Sequence, residues 1–285
     1  MEKQRIKTID MSQPWPKFCR DFGNAFRDIG FAVVTNHGIP TKHFNDTYRV
    51  MRKAFALSEK QKRKCEIPAH TSGFIPYGTE HAKDDLRPDQ KEIWDVRHRG
   101  PFYRPSQFPR AVKEFRGTTA RLFKDLDRLS LQLLQALDVY LGFPKQLLSG
   151  MAIEGDSLLR LLHYPAMKKG EPGMRSAPHE DINLITLLPV ATAPGLQVKG
   201  NNGRWYDVTS DPNMVIVNAG DMLKMYSKHI GQPFPSTTHQ VITLPGERYS
   251  MPYFVHPRGD VLLKHGTTAG AYLHQRLVEI GLIKP

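Results

Sequence analysis

The chain has 285 residues, 40% of them hydrophobic and 24% charged, enough for one large domain or two modest ones with a sizeable core. No run of eighteen apolar residues is present to span a membrane, and two cysteines, Cys19 and Cys65, are too few for a disulfide framework and form no CxxC pair. Forty basic against 28 acidic residues give a net charge of +12, a balance that suits nucleic acid, an anionic surface or an acidic small molecule.

The opening, "MEKQRIKTIDMSQPWPKFCR", is charged and lacks the apolar stretch of a secretory signal, so the cytoplasm is the expected compartment, with both thiols free. Phe18, Phe22, Ala25, Phe26 and Ile29 recur at helical spacing and stop at Gly30, which predicts a helix with a C-terminal glycine. "FAVVTNHGIP" follows as a short buried strand that breaks at His37-Gly38. Phe44, Tyr48, Met51 and Phe55 predict a second amphipathic helix. The densest basic cluster, "SEKQKRKCE", carries Lys60, Lys62, Arg63 and Lys64 without interleaved aromatics or a Gly-rich loop. It reads as a solvated helix end, and nucleic acid is not an expected partner. Residues 66–105 read as loops with one strand at "EIWDVRH".

Residues 108–142 predict a long helix. Phe115, Leu122, Leu126, Leu129, Leu133 and Leu137 keep to one stripe, and "GFP" ends it. Such a stripe marks a core scaffold. From about residue 156, short apolar runs alternate with turn signals: "LLRLLHYP", "NLITLLP", "GLQVKG", "RWYDVT", "MVIVNAG", "DMLKMYS", "TTHQVITL" and "YSMPYFVHP". Strands at this spacing predict a jelly roll, and "AYLHQRLVEI" predicts a closing helix. The expected fold is mixed α and β: a mixed N-terminal part (1–105), a long bracing helix (106–150) and a double-stranded β-helix core (151–285), together one compact unit.

The chemistry concentrates in "SAPHEDINLIT". On a strand, His179 and Asp181 are i and i+2 and share a face, so one ion could take an imidazole nitrogen and a carboxylate oxygen. Alone, the pair is weak evidence, because a chance HxD is common and a surface hydrogen-bonded pair accounts for it. A third ligand has to come from elsewhere. His229 falls in an expected loop and His256 at a strand end, whereas His239 lies mid-strand in "STTHQVITL" and is the best candidate. Two histidines and one carboxylate fill one face of an octahedron and leave three positions open, a set suited to non-haem Fe(II). A closed zinc site would want four ligands, usually with thiolates, and a zinc hydrolase would need a general base that the sequence does not identify.

In "ERYSMP", Arg248 and Ser250 again share a strand face. The "LPGE" turn makes the strands of His239 and Arg248 expected antiparallel neighbours. Forked guanidinium donors beside a hydroxyl suit a carboxylate, so a dicarboxylate could reach from the ion to this clamp. 2-Oxoglutarate fits, with its far carboxylate ~5 Å away along bonds of ~1.5 Å.

With these residues in place, "LRLLHYP", "HEDINLIT", "THQV" and "ERYSMPYF", together with "IKTIDMS" and "GFAVVTNHGIP" at the front, resemble the isopenicillin-N-synthase-like family of Fe(II)/2-oxoglutarate-dependent oxygenases. "GFIPYGTEHAKDDLRPDQKEIWDV" resembles a bacterial subgroup. The resemblance implies a double-stranded β-helix core and His179, Asp181 and His239 as iron ligands. It also implies Arg248, Ser250 and Tyr164 on 2-oxoglutarate, and O2 as co-substrate. The implied reaction is hydroxylation, desaturation or ring closure of a small molecule, with release of succinate and CO2; the excess positive charge points to an amino acid or other carboxylate as that molecule. Two positions depart from the family pattern: Leu162 stands where plant members have Asn, and Gln240 where Arg is usual. Thr71 stands where isopenicillin N synthase has a substrate-gripping arginine, which argues against that activity. An oxidase of that type independent of 2-oxoglutarate, a metal hydrolase and a nucleic-acid-binding module are the rival readings. Phe74, Tyr77 and His81, in a Gly/Pro-rich loop, and Tyr226, on an expected core strand, are candidates for substrate contact.

Overall fold

The computed structural model describes residues 6–67, 71–80, 88–100, 103–143, 146–166, 174–208 and 211–283. The chain opens with β1 (Lys7–Asp10), α1 (Trp15–Ile29), β2 (Phe31–Thr35) and α2 (Thr41–Phe55). The phenylalanine ladder of α1 is buried, and the helix ends where Gly30 turns left-handed at φ 66°. A Cβ on Gly30 would stand 2.3 Å from the Pro235 carbonyl oxygen, so this position requires glycine for both backbone shape and space. On α2 the predicted apolar face is buried, and Tyr48 donates its hydroxyl to the Val190 carbonyl at 2.7 Å.

Next come α3 (Glu59–Arg63), β3 (Gly73–Ile75), β4 (Glu92–Val96) and α4 (Phe115–Tyr140). The basic cluster forms α3, which Ser58 and Gln61 cap reciprocally. One of its lysines departs from the solvated reading: Lys62 is buried, 2.5 Å from Glu92. The long helix begins at Phe115 rather than near 108. Pro109 disfavours helical backbone in the residue before it, and residues 105–107 form a 3-10 turn instead. Along α4 the stripe from Phe115 to Leu137 is buried, and α1 and α2 pack on it.

The remainder supplies α5 (Leu147–Ala152), β5 (Leu158–Tyr164), β6 (Ser176–His179), β7 (Ile185–Pro189), β8 (Leu196–Lys199), β9 (Trp205–Asp207) and β10 (Val215–Ala219). It ends with α6 (Asp221–His229), β11 (His239–Val241), β12 (Arg248–Ser250), β13 (Tyr253–Val255), β14 (Leu262–Lys264), β15 (Thr267–Thr268) and α7 (Ala269–Glu279). Strands join in the order β1-β2-β10-β7-β13-β5-β4-β3, with β12 also on β5; a smaller sheet runs β6-β11-β8-β9. Apart from the β1–β2 pair, both sheets are antiparallel. This is the expected jelly-roll architecture, and strands from the first third of the chain extend its larger sheet.

Three expectations about the C-terminal half fail. "DMLKMYS" is α6, not a strand. Gly220 opens the helix and Asp221 sits favourably in its first turn; short apolar runs do not distinguish strand from helix by periodicity. Tyr226 therefore lies on a helix, half-buried against the main core. His239 opens β11 rather than lying in mid-strand, and β11 and β12 are not neighbours: β11 lies between β6 and β8, while β12 pairs with β5. The chain between them, 242–247, is longer than a tight hairpin turn and crosses from one sheet to the other.

Cys19 and Cys65 are buried free thiols. Among the described residues no helix is long and apolar enough to cross a membrane. With α4 as the scaffold on which α1 and α2 pack, Leu133→Ala should cost about 2–5 kcal/mol of stability in urea denaturation; a loss below about 1 kcal/mol would show that the helix is dispensable to the core.

Candidate metal centre

His179 closes β6 and His239 opens β11, and the two are directly opposed in the antiparallel register. Opposed residues project to the same face, and the imidazoles meet with centroids 4.4 Å apart. Asp181 lies just past the end of β6. The first turn of α6 fixes it there, using N–H groups that a helix start leaves over. Asp221 N–H donates to the Asp181 carbonyl at 2.7 Å, and Met222 N–H to the Ile182 and Asn183 carbonyls at 3.2 Å. A Cβ at Gly220 would lie 2.2 Å from the Asn183 carbonyl oxygen, so glycine is what lets the helix come this close.

Hydrogen bonds assign the atoms. His179 Nδ1 lies 2.8 Å from the Ala177 carbonyl and His239 Nδ1 3.1 Å from that of Thr237. Each carbonyl accepts the Nδ1 proton, which leaves the Nε2 lone pairs facing inward. Asp181 Oδ2 accepts from Thr186 Oγ1 at 2.5 Å and Asn218 Nδ2 at 2.7 Å. Its other oxygen, Oδ1, stands 3.7 Å from His179 Nε2 and 3.6 Å from His239 Nε2. Neighbouring ligands on an ion with bonds of ~2.1 Å stand ~3 Å apart, so small side-chain rotations would close this set on one cation.

Charge states agree with that use. Burial, then the adjacent His239, pushes the His179 imidazole down to about 4, which keeps it neutral. Burial works to raise Asp181, but His239, His179 and the bonds from Thr186 and Asn218 outweigh it and hold the carboxylate low.

The three residues open onto a cavity of about 460 Å³. Arg248 and Ser250 on β12 also line it, opposite Tyr164 and Leu162 on β5. Arg248 is buried. Its Nε donates to the Ala193 carbonyl at 3.1 Å, its Cζ lies 5.1 Å from the Tyr164 ring centre, and its buried Nη1 has no partner among the described residues. The cavity thus brings together the expected triad and clamp although their strands belong to different sheets. Gln240 bonds instead to Gln197 at 2.8 Å.

The substrate candidates fare differently. Phe74 is on β3, not a loop; it packs wholly buried against Trp94, 5.5 Å between ring centres, because its strand pairs with β4 inside the core. Tyr77 is exposed and bonds to Gln90. Neither lines the cavity, nor does Tyr226. His81 lies outside the described residues. His229 ends α6 away from the site, whereas His256 lines the cavity, its imidazole pushed down to about 3 by burial and then by Arg97.

Sequence reasoning missed a charged wall. Arg160 binds Asp95 through two 2.8 Å bonds and Glu80 at 2.7 Å. Lys91 joins Glu80 at 2.7 Å and Asp89 at 2.9 Å. Asp89 in turn accepts the Ala177 N–H at 3.0 Å, which ties the network to β6. Burial works to raise Glu80, but Arg160 and Lys91 hold it far below the usual range. The available signal was charge inside apolar strands, Arg160 in "LLRLLHY" and Glu92 with Asp95 in "EIWDV". Phe254, Leu273, Arg276 and Leu277 complete the wall, the last three from α7.

The 2OG-Fe(II) oxygenase superfamily model matches residues 155–257, and the model described as non-haem dioxygenase in morphine synthesis N-terminal matches residues 6–114. The chain is 29% identical over 266 residues to jasmonate-induced oxygenase 4 of Arabidopsis thaliana, spanning 90% of this chain and 73% of that one. It is 34% identical to a crystal structure of a candidate oxygenase from Shewanella oneidensis, with TM-score 0.78 over 98% of this chain and 100% of that one. A full-length Neurospora crassa protein, solved with alpha-KG and again with alpha-KG and thymine, is 26% identical with TM-score 0.83 over 96% of each chain.

The geometry predicts that Asn218→Ala, which removes one of the two hydrogen bonds that hold Asp181 Oδ2, weakens Mn(II) binding measured by calorimetry by about 10–100-fold with the fold intact. Unchanged affinity would mean that Asp181 does not serve an ion.

Proposed function

From the membership of this chain in the 2OG-Fe(II) oxygenase superfamily, as an Fe(II)- and 2-oxoglutarate-dependent dioxygenase, we propose that His179, Asp181 and His239 hold its iron and that Arg248, Ser250 and Tyr164 receive its 2-oxoglutarate. The observation that carries this reading is a convergence. Two Nε2 atoms and one Oδ1 face a single point, and the cavity they open onto also holds a buried guanidinium with an unpartnered Nη1. The donor set fits iron: two imidazoles and one carboxylate, with no thiolate among the residues lining the cavity. When bound, iron with 2-oxoglutarate and O2 supplies oxidation of a substrate C–H bond, coupled to loss of CO2 and release of succinate.

The chain's own contribution is geometry and charge. Thr186 and Asn218 hold Asp181 so that only Oδ1 is offered. Ala177 and Thr237 fix the imidazole tautomers. Arg248, anchored through Nε at Ala193, presents its remaining donors to the far carboxylate of the co-substrate, with the Ser250 hydroxyl beside it. Leu162 faces Ser250 across the strands, so this end of the site relies on the guanidinium rather than on a side-chain amide.

The substrate is a small molecule in the remaining part of the cavity, with an apolar face against Phe254, Leu273 and Leu277 and a polar or acidic group toward Arg97 and Arg276. The thymine complex of the Neurospora crassa protein supports a substrate of this size.

Purified protein with Fe(II), 2-oxoglutarate and O2 should release succinate, faster with a true substrate, and His179→Ala or His239→Ala should stop it. Arg248→Ala should raise the apparent KM for 2-oxoglutarate by ~30-fold or more while Mn(II) affinity stays within about two-fold. An unchanged KM would remove Arg248 from the clamp. Product formation without 2-oxoglutarate would favour an oxidase.

A further inference from the structure

Most of the buried cations here have a carboxylate. Lys62 has Glu92, Lys91 has Glu80 and Asp89, Arg97 has Asp156, and Arg160 has Asp95 and Glu80. Arg175 and Arg248 differ. Both are essentially inaccessible to solvent, at 0% and 2% exposure, and among the described residues neither pairs with an acidic group. They are close to one another, because both guanidinium groups approach one ring: the Cζ atoms stand 5.1 Å (Arg248) and 6.0 Å (Arg175) from the centre of Tyr164. Burial and then the Arg248 charge lower the pKa of Arg175. Among the described residues three donors are buried without partners: Arg248 Nη1, Arg175 Nε and Arg175 Nη1. Arg175 spends one donor, Nη2, on the Gly246 carbonyl in the loop leading to β12. A buried charge without a counter-charge is costly, and two such charges of like sign against one ring form a site that an anion relieves.

We infer that Arg175 is a second guanidinium for the distal carboxylate of the co-substrate, a positioning residue that acts across Tyr164 to make the site select a diacid. This rests on the reading of Arg248 given above and extends it by one residue. Arg175 does not line the cavity itself. Its contribution is the positive potential behind Tyr164 and Arg248, together with the tether that sets the loop before β12. Interactions of this kind are strong where water is excluded, so the second charge raises affinity for a ligand ending in a carboxylate and does nothing for one ending in a methyl group.

The test compares two ligands on Mn(II)-loaded protein by calorimetry under nitrogen. 2-Oxoglutarate carries the distal carboxylate; 2-oxopentanoate has the same metal-binding end and chain length and lacks it. Arg175→Gln should weaken 2-oxoglutarate by about ten-fold or more and leave 2-oxopentanoate within about two-fold. Arg175→Lys should restore most of the discrimination. In turnover, Arg175→Gln should raise the KM for 2-oxoglutarate with kcat nearly unchanged. The ligand-free variant loses a repulsion and the bond to Gly246 together, so its melting temperature should stay close to that of the parent. Arg175→Met gives the same readout should the glutamine variant not fold. Equal weakening of both ligands, or a lower melting temperature without selective loss, would overturn the inference and leave Arg175 as a structural tether. Arg248→Gln is the control: if it too leaves discrimination intact, the clamp itself is wrong; if it abolishes discrimination while Arg175→Gln does not, only the role of Arg175 falls.

Discussion

The carboxylate of Asp181 is where the two sheets meet. Its Oδ2 is held by Thr186 on β7 and Asn218 on β10, which face one another across the larger sheet. Its Oδ1 faces His179 and His239, which face one another across the smaller sheet. Two cross-strand pairs, one per sheet, thus converge on one side chain. A shift of one residue in either register would turn a partner to the opposite face. The geometry of the site is therefore a direct consequence of strand pairing, and the α6 first turn locks the Asp181 backbone in the same place.

The charged network that also lines the cavity follows a different physical logic. Arg160, Asp95, Glu80, Lys91 and Asp89 form a continuous buried network in which each charge has a partner of opposite sign. Replacing such a network by apolar residues is often neutral for stability, whereas removing one member leaves a costly unpaired charge. Its effect here is to define a shape: it joins β4 to β5 and, through Asp89 and Ala177, reaches the strand that carries His179. This part of the cavity lining is thus set by paired charges, beside the apolar side chains of Phe254, Leu273 and Leu277.

Much of this was legible in the sequence wherever the signal is local. The stripes of α1, α2 and α4 follow from 3.6-residue spacing, and the faces shared by Arg248 and Ser250 follow from two-residue spacing. What was not legible depends on pairing between distant strands. A turn-like "LPGE" suggested a hairpin, but the β11 and β12 partners are chosen by sheets assembled from the whole chain. Arg160 and Asp95 lie 65 positions apart, and only the β4–β5 register makes them opposed. The aromatic residues Phe74 and Tyr226 were candidates for contact with a substrate, yet large apolar side chains more often serve a core: Phe74 lies within it and Tyr226 packs half-buried against it. Arg175 gave no periodic signal; its interest comes from its burial and from the absence of an acidic partner among the described residues.

The most direct test of the account is a crystal structure of the Mn(II)-loaded protein grown without oxygen, with the ion located by anomalous scattering. The account predicts one ion bound through Nε2 of both His179 and His239 and through Oδ1 of Asp181, with the Nδ1 protons still on the Ala177 and Thr237 carbonyls. An ion held elsewhere, or bound through an Nδ1 atom, would contradict it.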